Sequence, residues 1–175
     1  MNAPRRMLVL ASLGLLAGAV RAQDAGRPSE VLYLHGSALK QARVLAPADL
    51  AAQPAEAIAT FVQARGAPGA ESRSTVRGVR LVRLVEAAGL VERARGDWKN
   101  LLVTATATDG YRAQFTWAEL ANTAAGEGVL VVFERDGRPL DAREGRIALL
   151  ATGDLRLGAR HVRNLLRIEV RPVAD

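Results

Sequence analysis

The chain alternates between short apolar segments and turn-forming residues, and this limits it to a fold built from short elements. The clearest example is its final third, where residues 147–151 and residues 165–170 are two short apolar runs with a glycine-containing turn after the first. Runs of this length between turn residues are typical of strands. A basic cluster, Arg160, His161 and Arg163, lies between the two runs.

The same pattern predicts about seven strands and three short helices in the whole chain. Residues 101–107 and 111–116 favour a hairpin, because Asp109 and Gly110 between them suit a tight turn. Residues 44–45 are predicted to lead into a short helix. We therefore expect an α+β domain dominated by a mixed β-sheet or a distorted barrel with short helices.

Two further segments are predicted between the early strands and the hairpin. Residues 65–74 contain two glycines and a proline, which favours a flexible loop. Residues 79–90 place apolar side chains at i, i+3, i+4 and i+7, which indicates an amphipathic helix. Arg80 and Arg83 are expected on the solvent side of that helix.

The first 22 residues have the composition of a signal peptide. Arg5 and Arg6 precede an apolar run over residues 7–19, and small residues end at Ala22, where we expect cleavage. The paired arginines leave both the general secretory and the twin-arginine routes open. Residues 23–175 are then a single domain, periplasmic or secreted, with a polar leader over residues 23–29 and no further apolar stretch long enough to span a membrane.

Composition excludes several classes of function. The predicted cleavage removes three arginines and no acidic residue, so the formal charge of +6 falls to +3. The basic residues are interleaved with acids and aromatics are few, so we predict no nucleic-acid partner. With no cysteine and only two histidines, the chain lacks thiolate nucleophiles, iron–sulfur ligands and a three-histidine metal site.

Five motifs follow one another along the chain. Residues 31–54 hold a strand, a glycine and a short helix ending at proline, and residues 77–90 are RGVRLVRLVEAAGL. Residues 108–120 include Asp-Gly-Tyr and Glu-Leu, residues 132–140 are VFERDGRPL, and the final third completes the series. In this order the motifs resemble the molybdopterin-binding oxidoreductase domain of the sulfite oxidase superfamily, whose helix has a similar GVPL and LLEAAG sequence. The chain would be a small stand-alone, exported form of that domain.

The resemblance implies a molybdenum ion held by a pterin dithiolene and one cysteine thiolate. In the family that cysteine stands in the loop before the GVPL helix, and Ala64 is the nearest equivalent here. Ser72 and Ser74 offer neutral hydroxyls, which are poor replacements for a soft thiolate. We therefore predict no metal ligand and no catalytic residue, and molybdopterin binding rests on the resemblance alone.

The basic cluster is the predicted binding site. Arg160, His161 and Arg163 occupy the position where the family contacts the pterin phosphate, and Arg and His donors suit a phosphate dianion. The alternative is that these charges only solubilise a loop before the last strand.

Two functions follow from the sequence. The first is a binding module that has lost the metal and takes a small anion, a pterin-like ligand or a protein partner. The second is an active periplasmic molybdopterin-dependent oxidoreductase of the sulfite oxidase type with atypical metal ligation.

Overall fold

The computed structural model describes residues 27–65, 72–92, 95–156 and 158–173. The predicted signal peptide lies outside these ranges, as do residues 66–71 of the predicted loop. The strands within them are β1 (Leu32–His35), β2 (Arg43–Leu45), β3 (Ile58–Arg65), β4 (Ser72–Arg80), β5 (Leu101–Ala107), β6 (Arg112–Thr116), β7 (Val129–Arg135), β8 (Arg138–Pro139), β9 (Ala148–Ala151) and β10 (Leu165–Pro172). The helices are α1 (Pro47–Ala51), α2 (Leu81–Ala88), α3 (Trp117–Asn122) and α4 (Ala124–Glu127), with 3₁₀ turns at Ala55–Ala57 and Asp97–Asn100.

The strands form two five-stranded sheets. The first sheet has the order β2-β1-β10-β5-β6, in which β1 and β10 are parallel and the other neighbours antiparallel. The second has the order β3-β4-β7-β8, with β9 also paired to β7. The predicted α+β class is confirmed, whereas the described strands form two open sheets and no closed barrel. None of the helices in the described ranges has the length and apolar character needed to cross a membrane.

The inner faces of the two sheets share the main hydrophobic core. Val103, Phe115 and Ile168 enter it from the first sheet, and Val131 and Leu149 enter it from the second. Each of these side chains is at most 1 % exposed. Full burial of a side chain of this kind contributes about 1.5–3 kcal/mol to the stability of the fold, so this shared core holds the two sheets together.

Helix α2 closes part of this core with the face that the sequence predicts. Leu81, Leu84, Val85 and Ala88 are buried, and Gly89 ends the helix with a φ of 74°. The predicted start at residue 79 is wrong, because Val79 and Arg80 still pair with β7 at the end of β4. Arg80 is consequently not on a solvated helix face.

Three other predictions are corrected by strand pairing or hydrogen bonding that the local composition does not indicate. Residues 72–74 are not a loop, since β4 pairs with β3 from Ser72 onward. Residues 43–45 form a strand against β1 before α1 begins. Ser29 does not belong to a loose leader, because it is 1 % exposed and its hydroxyl donates to the carbonyl of Ile147. The hairpin over residues 101–116 and the strands β9 and β10 lie where the sequence predicts them.

Gly36 fixes the position of β1 beside β10. Its φ is 142°, and a Cβ at this position would lie 1.9 Å from the carbonyl oxygen of Val170. Ala38, two residues later, donates its N–H to the same carbonyl at 3.2 Å. Only glycine allows the backbone to approach this closely and turn away.

Candidate functional site

The outer face of the first sheet is polar because its strands alternate. In β10, Ile168 and Val170 enter the core, so Arg167, Glu169 and Arg171 point to the opposite side. Side chains from neighbouring strands complete two cross-strand rows on this side. The first row is Val44, Tyr33, Arg167, Thr106 and Arg112, and the second is His35, Glu169, Thr104 and Gln114.

A groove of about 280 Å³ lies over the second row and over the part of the first row from Arg167 to Arg112. We call its lining the basic face: His35, Thr104, Thr106, Arg112, Gln114, Arg167, Glu169 and Arg171. Three arginines and a single carboxylate occupy this small area. The groove therefore carries a net positive charge whatever the state of the histidine, and it attracts anions.

The arginines of the basic face are not used by the fold. Among the described residues, the side chains of Arg112 and Arg167 form no hydrogen bond and no ion pair, and the Arg171 side chain donates only to the carbonyl of Pro172. Glu169 lies between Arg167 and Arg171 along β10 without an ion pair to either. Guanidinium groups with free N–H donors are well suited to carboxylate, sulfate and phosphate oxygens.

Two threonines form the floor of the groove. Thr104 is 7 % exposed and Thr106 is 4 % exposed, although both lie on the outer side of the sheet. The longer side chains beside them provide the walls of the groove. Neither threonine hydroxyl has a hydrogen-bond partner among the residues that the structure describes. A hydroxyl can donate to an anion held by the flanking arginines.

An apolar groove of about 350 Å³ adjoins the basic face. Its lining is Tyr33, Leu34, His35, Ala42, Arg43, Val44, Leu166 and Arg167. His35 and Arg167 belong to both grooves, so the two form a continuous surface across β2, β1 and β10. Tyr33 is 43 % exposed and Val44 is 59 % exposed, which is unusual for neighbouring large side chains.

The guanidinium group of Arg160, the first residue of the predicted site, is hydrogen-bonded to two carboxylates. Its Nε donates to Asp154 at 2.9 Å, its Nη2 donates to the second oxygen of Asp154, and its Nη1 donates to Glu119 at 2.7 Å. Its guanidinium carbon also lies 4.7 Å from the ring centroid of Phe115. The hydrogen bond to Asp154 is the main reason that the pKa of Arg160 is raised.

The local sequence explains how Glu119 reaches Arg160. The Thr116 hydroxyl accepts the N–H of Glu119 at 3.1 Å and so caps the start of α3. This places the Glu119 carboxylate beside the segment of residues 154–160. The charge of Arg160 is thus neutralised by two acids and is used to join that segment to the first sheet.

The other two residues of the predicted site have different surroundings from Arg160. His161 is half-buried, and its backbone N–H donates to the carbonyl of Gly158 at 3.3 Å. Arg163 is exposed and forms no ion pair among the described residues. None of the three lines the basic face.

A second polar cavity, of about 620 Å³, lies at the second sheet but is rich in acids. Arg135 forms a two-pronged pair with Glu144 at 2.9 and 3.0 Å, and it also donates to Ser74 and Gln63. Asp141, on the cavity wall, accepts the N–H of Glu144, which holds the pKa of its carboxyl below the usual range. Three carboxylates against two arginines give the lining of this cavity a net negative charge, so it is a poor anion site.

The residues present do not fit the metal centre that the family resemblance implies. The chain has no cysteine. Ala64 is exposed on β3, opposite Arg73, and the Ser74 hydroxyl is engaged by Arg135. No three His, Cys, Asp or Glu side chains within the described ranges lie together as a metal-binding group.

The comparisons with known proteins found no match, either to a family model or to a curated protein sequence. The geometry of the described residues therefore carries the functional argument.

The arginines of the basic face were missed by sequence reasoning because they are distant along the chain. Arg112 and Arg167 become neighbours of Thr106 only through the pairing of β10, β5 and β6. One local signal was present: Arg167-Ile168-Glu169-Val170-Arg171 alternates with a period of two. In a strand, that period places three charged residues on a single face.

Proposed function

We propose that the chain is a binding module for a small anion and that the basic face is its binding site. The observation that carries the proposal is the pair Arg112 and Arg167, whose side chains have no partner among the described residues and which lie on either side of Thr106 in the row. The pairing registers separate these two arginines by two strand spacings, about 10 Å. Two long side chains can therefore converge on one anion above the threonine.

The chemistry of the site favours binding over catalysis. Guanidinium donors hold an oxyanion by charge and by paired N–H bonds, and the threonine floor adds short hydroxyl donors. Among the described residues, the groove is lined by one carboxylate, that of Glu169, and one histidine, His35. The two lie opposite each other on β10 and β1. The module hypothesis from the sequence is thus retained, with the basic face in place of the residue 160–163 cluster.

The proposal also includes that the chain is exported and that it descends from a known superfamily. The composition of residues 1–22 supports a signal peptide and hence a periplasmic or secreted protein, and the order of the five motifs supports descent from the sulfite oxidase superfamily. Mass spectrometry of the mature, natively exported protein separates the two functions. Molybdenum near one-to-one would favour the oxidoreductase with atypical ligation.

Titration with sodium sulfate and with sodium phosphate, followed by calorimetry, tests the binding site. Arg112→Gln and Arg167→Gln should each weaken the affinity about tenfold, because each removes one charge-assisted contact of roughly 1.4 kcal/mol. The matched control is Arg138→Gln, an exposed arginine of β8 on the second sheet. Both site variants should keep the thermal stability of the parent. Equal anion affinity in all four proteins would refute the proposal.

A further inference from the structure

We infer that the anion taken by the basic face is amphiphilic, with an apolar body that lies in the apolar groove beside Tyr33. The inference rests on the proposed function, since it assigns the anionic group of the ligand to the basic face. It names the ligand class as a small organic carboxylate, sulfonate or phosphate with an aromatic or aliphatic body.

A single cross-strand row carries both parts of such a ligand. The row begins with Val44 and Tyr33, passes Arg167 and Thr106, and ends at Arg112. Apolar contact surface occupies its first two positions, and anion donors occupy the remaining three. Since neighbouring strands lie about 4.8 Å apart, the five positions span roughly 19 Å. A small organic anion can cover both parts of the row when it lies across the strands.

The apolar groove differs from an ordinary hydrophobic surface because two arginines are among its lining residues. Arg43 and Arg167 both line it, so positive charge lies beside the aliphatic and aromatic surface of Val44, Tyr33 and Leu166. A neutral apolar ligand would leave those guanidinium groups without a counter-charge. A ligand whose anionic group lies next to its apolar body is complementary to both.

The exposed side chains are also suited to a flat ligand. The Tyr33 hydroxyl has no hydrogen-bond partner among the described residues, and its ring lies between Val44 and Arg167 in the row. Aromatic rings on binding surfaces provide a rigid contact area at a low cost in conformational entropy. The two adjoining grooves, of about 350 and 280 Å³, are together within the size range of small-molecule sites.

Three probes separate the two parts of the ligand. 2-Naphthoate carries both an apolar body and a charge, 2-naphthamide carries the same body without the charge, and sodium sulfate carries charge alone. Calorimetric titration should give an affinity for 2-naphthoate at least about tenfold above that for either other probe. Val44→Ser and Tyr33→Ser should weaken 2-naphthoate binding severalfold and leave sulfate binding unchanged. The control is Val62→Ser, a valine of β3 that is 55 % exposed on the second sheet.

Each outcome decides a different question. If 2-naphthoate binds no more tightly than sulfate, or 2-naphthamide binds as tightly as 2-naphthoate, the amphiphile inference is wrong. In both cases sulfate binding that depends on Arg167 still upholds the anion site. If sulfate binding does not respond to Arg167→Gln, the proposed function itself fails. Loss of 2-naphthoate binding in Val62→Ser as well would show that the probe binds apolar surface without selectivity, which also overturns the inference.

Discussion

The molecule contains two kinds of arginine that differ in what surrounds the same side chain. Arg135 and Arg160 lie in the partly buried joints of the fold, and each holds at least one carboxylate with two hydrogen bonds. Arg112 and Arg167 lie on the outer face of the first sheet and hold none among the described residues. The first kind stabilises the fold through ion pairs, and the second kind is available to bind a ligand.

This difference shows why the count of basic residues in a segment is a poor guide to anion binding. A guanidinium group with two acidic neighbours has already made the interaction that an incoming anion would offer. Removing it leaves the acids unpaired, which costs stability. Removing an unpaired guanidinium group from an exposed face costs the fold little and affects only the ligand.

The largest effect on stability is expected from Arg135→Ala. The Arg135 and Glu144 side chains are 21 % and 13 % exposed, and the substitution also removes a donor to the buried Gln63. We expect a loss of about 2–3 kcal/mol, less than for a fully buried pair because water still reaches this one. Urea denaturation measures the loss.

The control for this comparison is Arg138→Ala, which removes an exposed arginine at the edge of the same cavity. Its free energy of unfolding should stay within about 0.5 kcal/mol of the parent. Equal losses in both variants would mean that the ion pair with Glu144 is not what stabilises this joint.

A loss of about 2 kcal/mol is expected for Arg160→Ala, with no change in sulfate affinity. The substitution leaves the Asp154 carboxylate, whose side chain is 14 % exposed, without its partner, and it removes the contact with the Phe115 ring. Arg163→Ala, three residues away on an exposed position, should change neither quantity. Thermal unfolding and sulfate titration of both variants provide the measurements.

The opposite result for Arg160→Ala would restore the site predicted from the sequence. Unchanged stability together with weakened sulfate binding would place the anion at residues 160–163 after all. It would also mean that Asp154 and Glu119 give up Arg160 when the ligand arrives.

Much of the first sheet could be predicted because its strands carry their own signals. The Val, Thr and Ala residues of β5, the Asp109-Gly110 turn and the alternation in β6 define a hairpin within 16 residues. The apolar run of β10 is equally local, as is that of β9 in the second sheet. Strand β4 could not be predicted in the same way, since residues 72–75 are all polar. Their strand conformation comes from pairing with β3 on one side and, from Val76 onward, with β7 on the other.

The candidate site could not be predicted for a related reason. Sequence proximity placed Arg160, His161 and Arg163 together, but it could not show that Glu119, 41 residues earlier, neutralises Arg160. In the same way, 55 positions separate Arg112 from Arg167, which share a row of the sheet. Ion pairs and cross-strand rows both depend on which distant segments the fold brings together. Local periodicity supplies only the face on which each side chain lies.

The smallest expected change in anion affinity is that of Glu169→Gln, and it is a gain where the other substitutions in the groove cause a loss. Glu169 is the one carboxylate lining the basic face, and it lies between Arg167 and Arg171 along β10 without an ion pair to either. Its charge opposes an anion in the groove by about 0.7 kcal/mol at a separation of roughly 6 Å in water. Because this energy applies to each unit of negative charge and sulfate carries two, the substitution should raise the sulfate affinity at least about threefold at low salt, and the gain should shrink as ionic strength rises. Stability should change by less than about 0.5 kcal/mol.

The matched control is Glu56→Gln, which removes an exposed carboxylate from the 3₁₀ turn before β3 and should leave the affinity unchanged. A gain in both variants would reflect only the net charge of the protein. A fall in affinity for Glu169→Gln would mean that this carboxylate orients the arginines beside it. The outer face would then be organised internally like the Arg160 joint, and the contrast between the two kinds of arginine would no longer hold. A threefold gain confined to Glu169→Gln would instead place the anion within reach of this side chain.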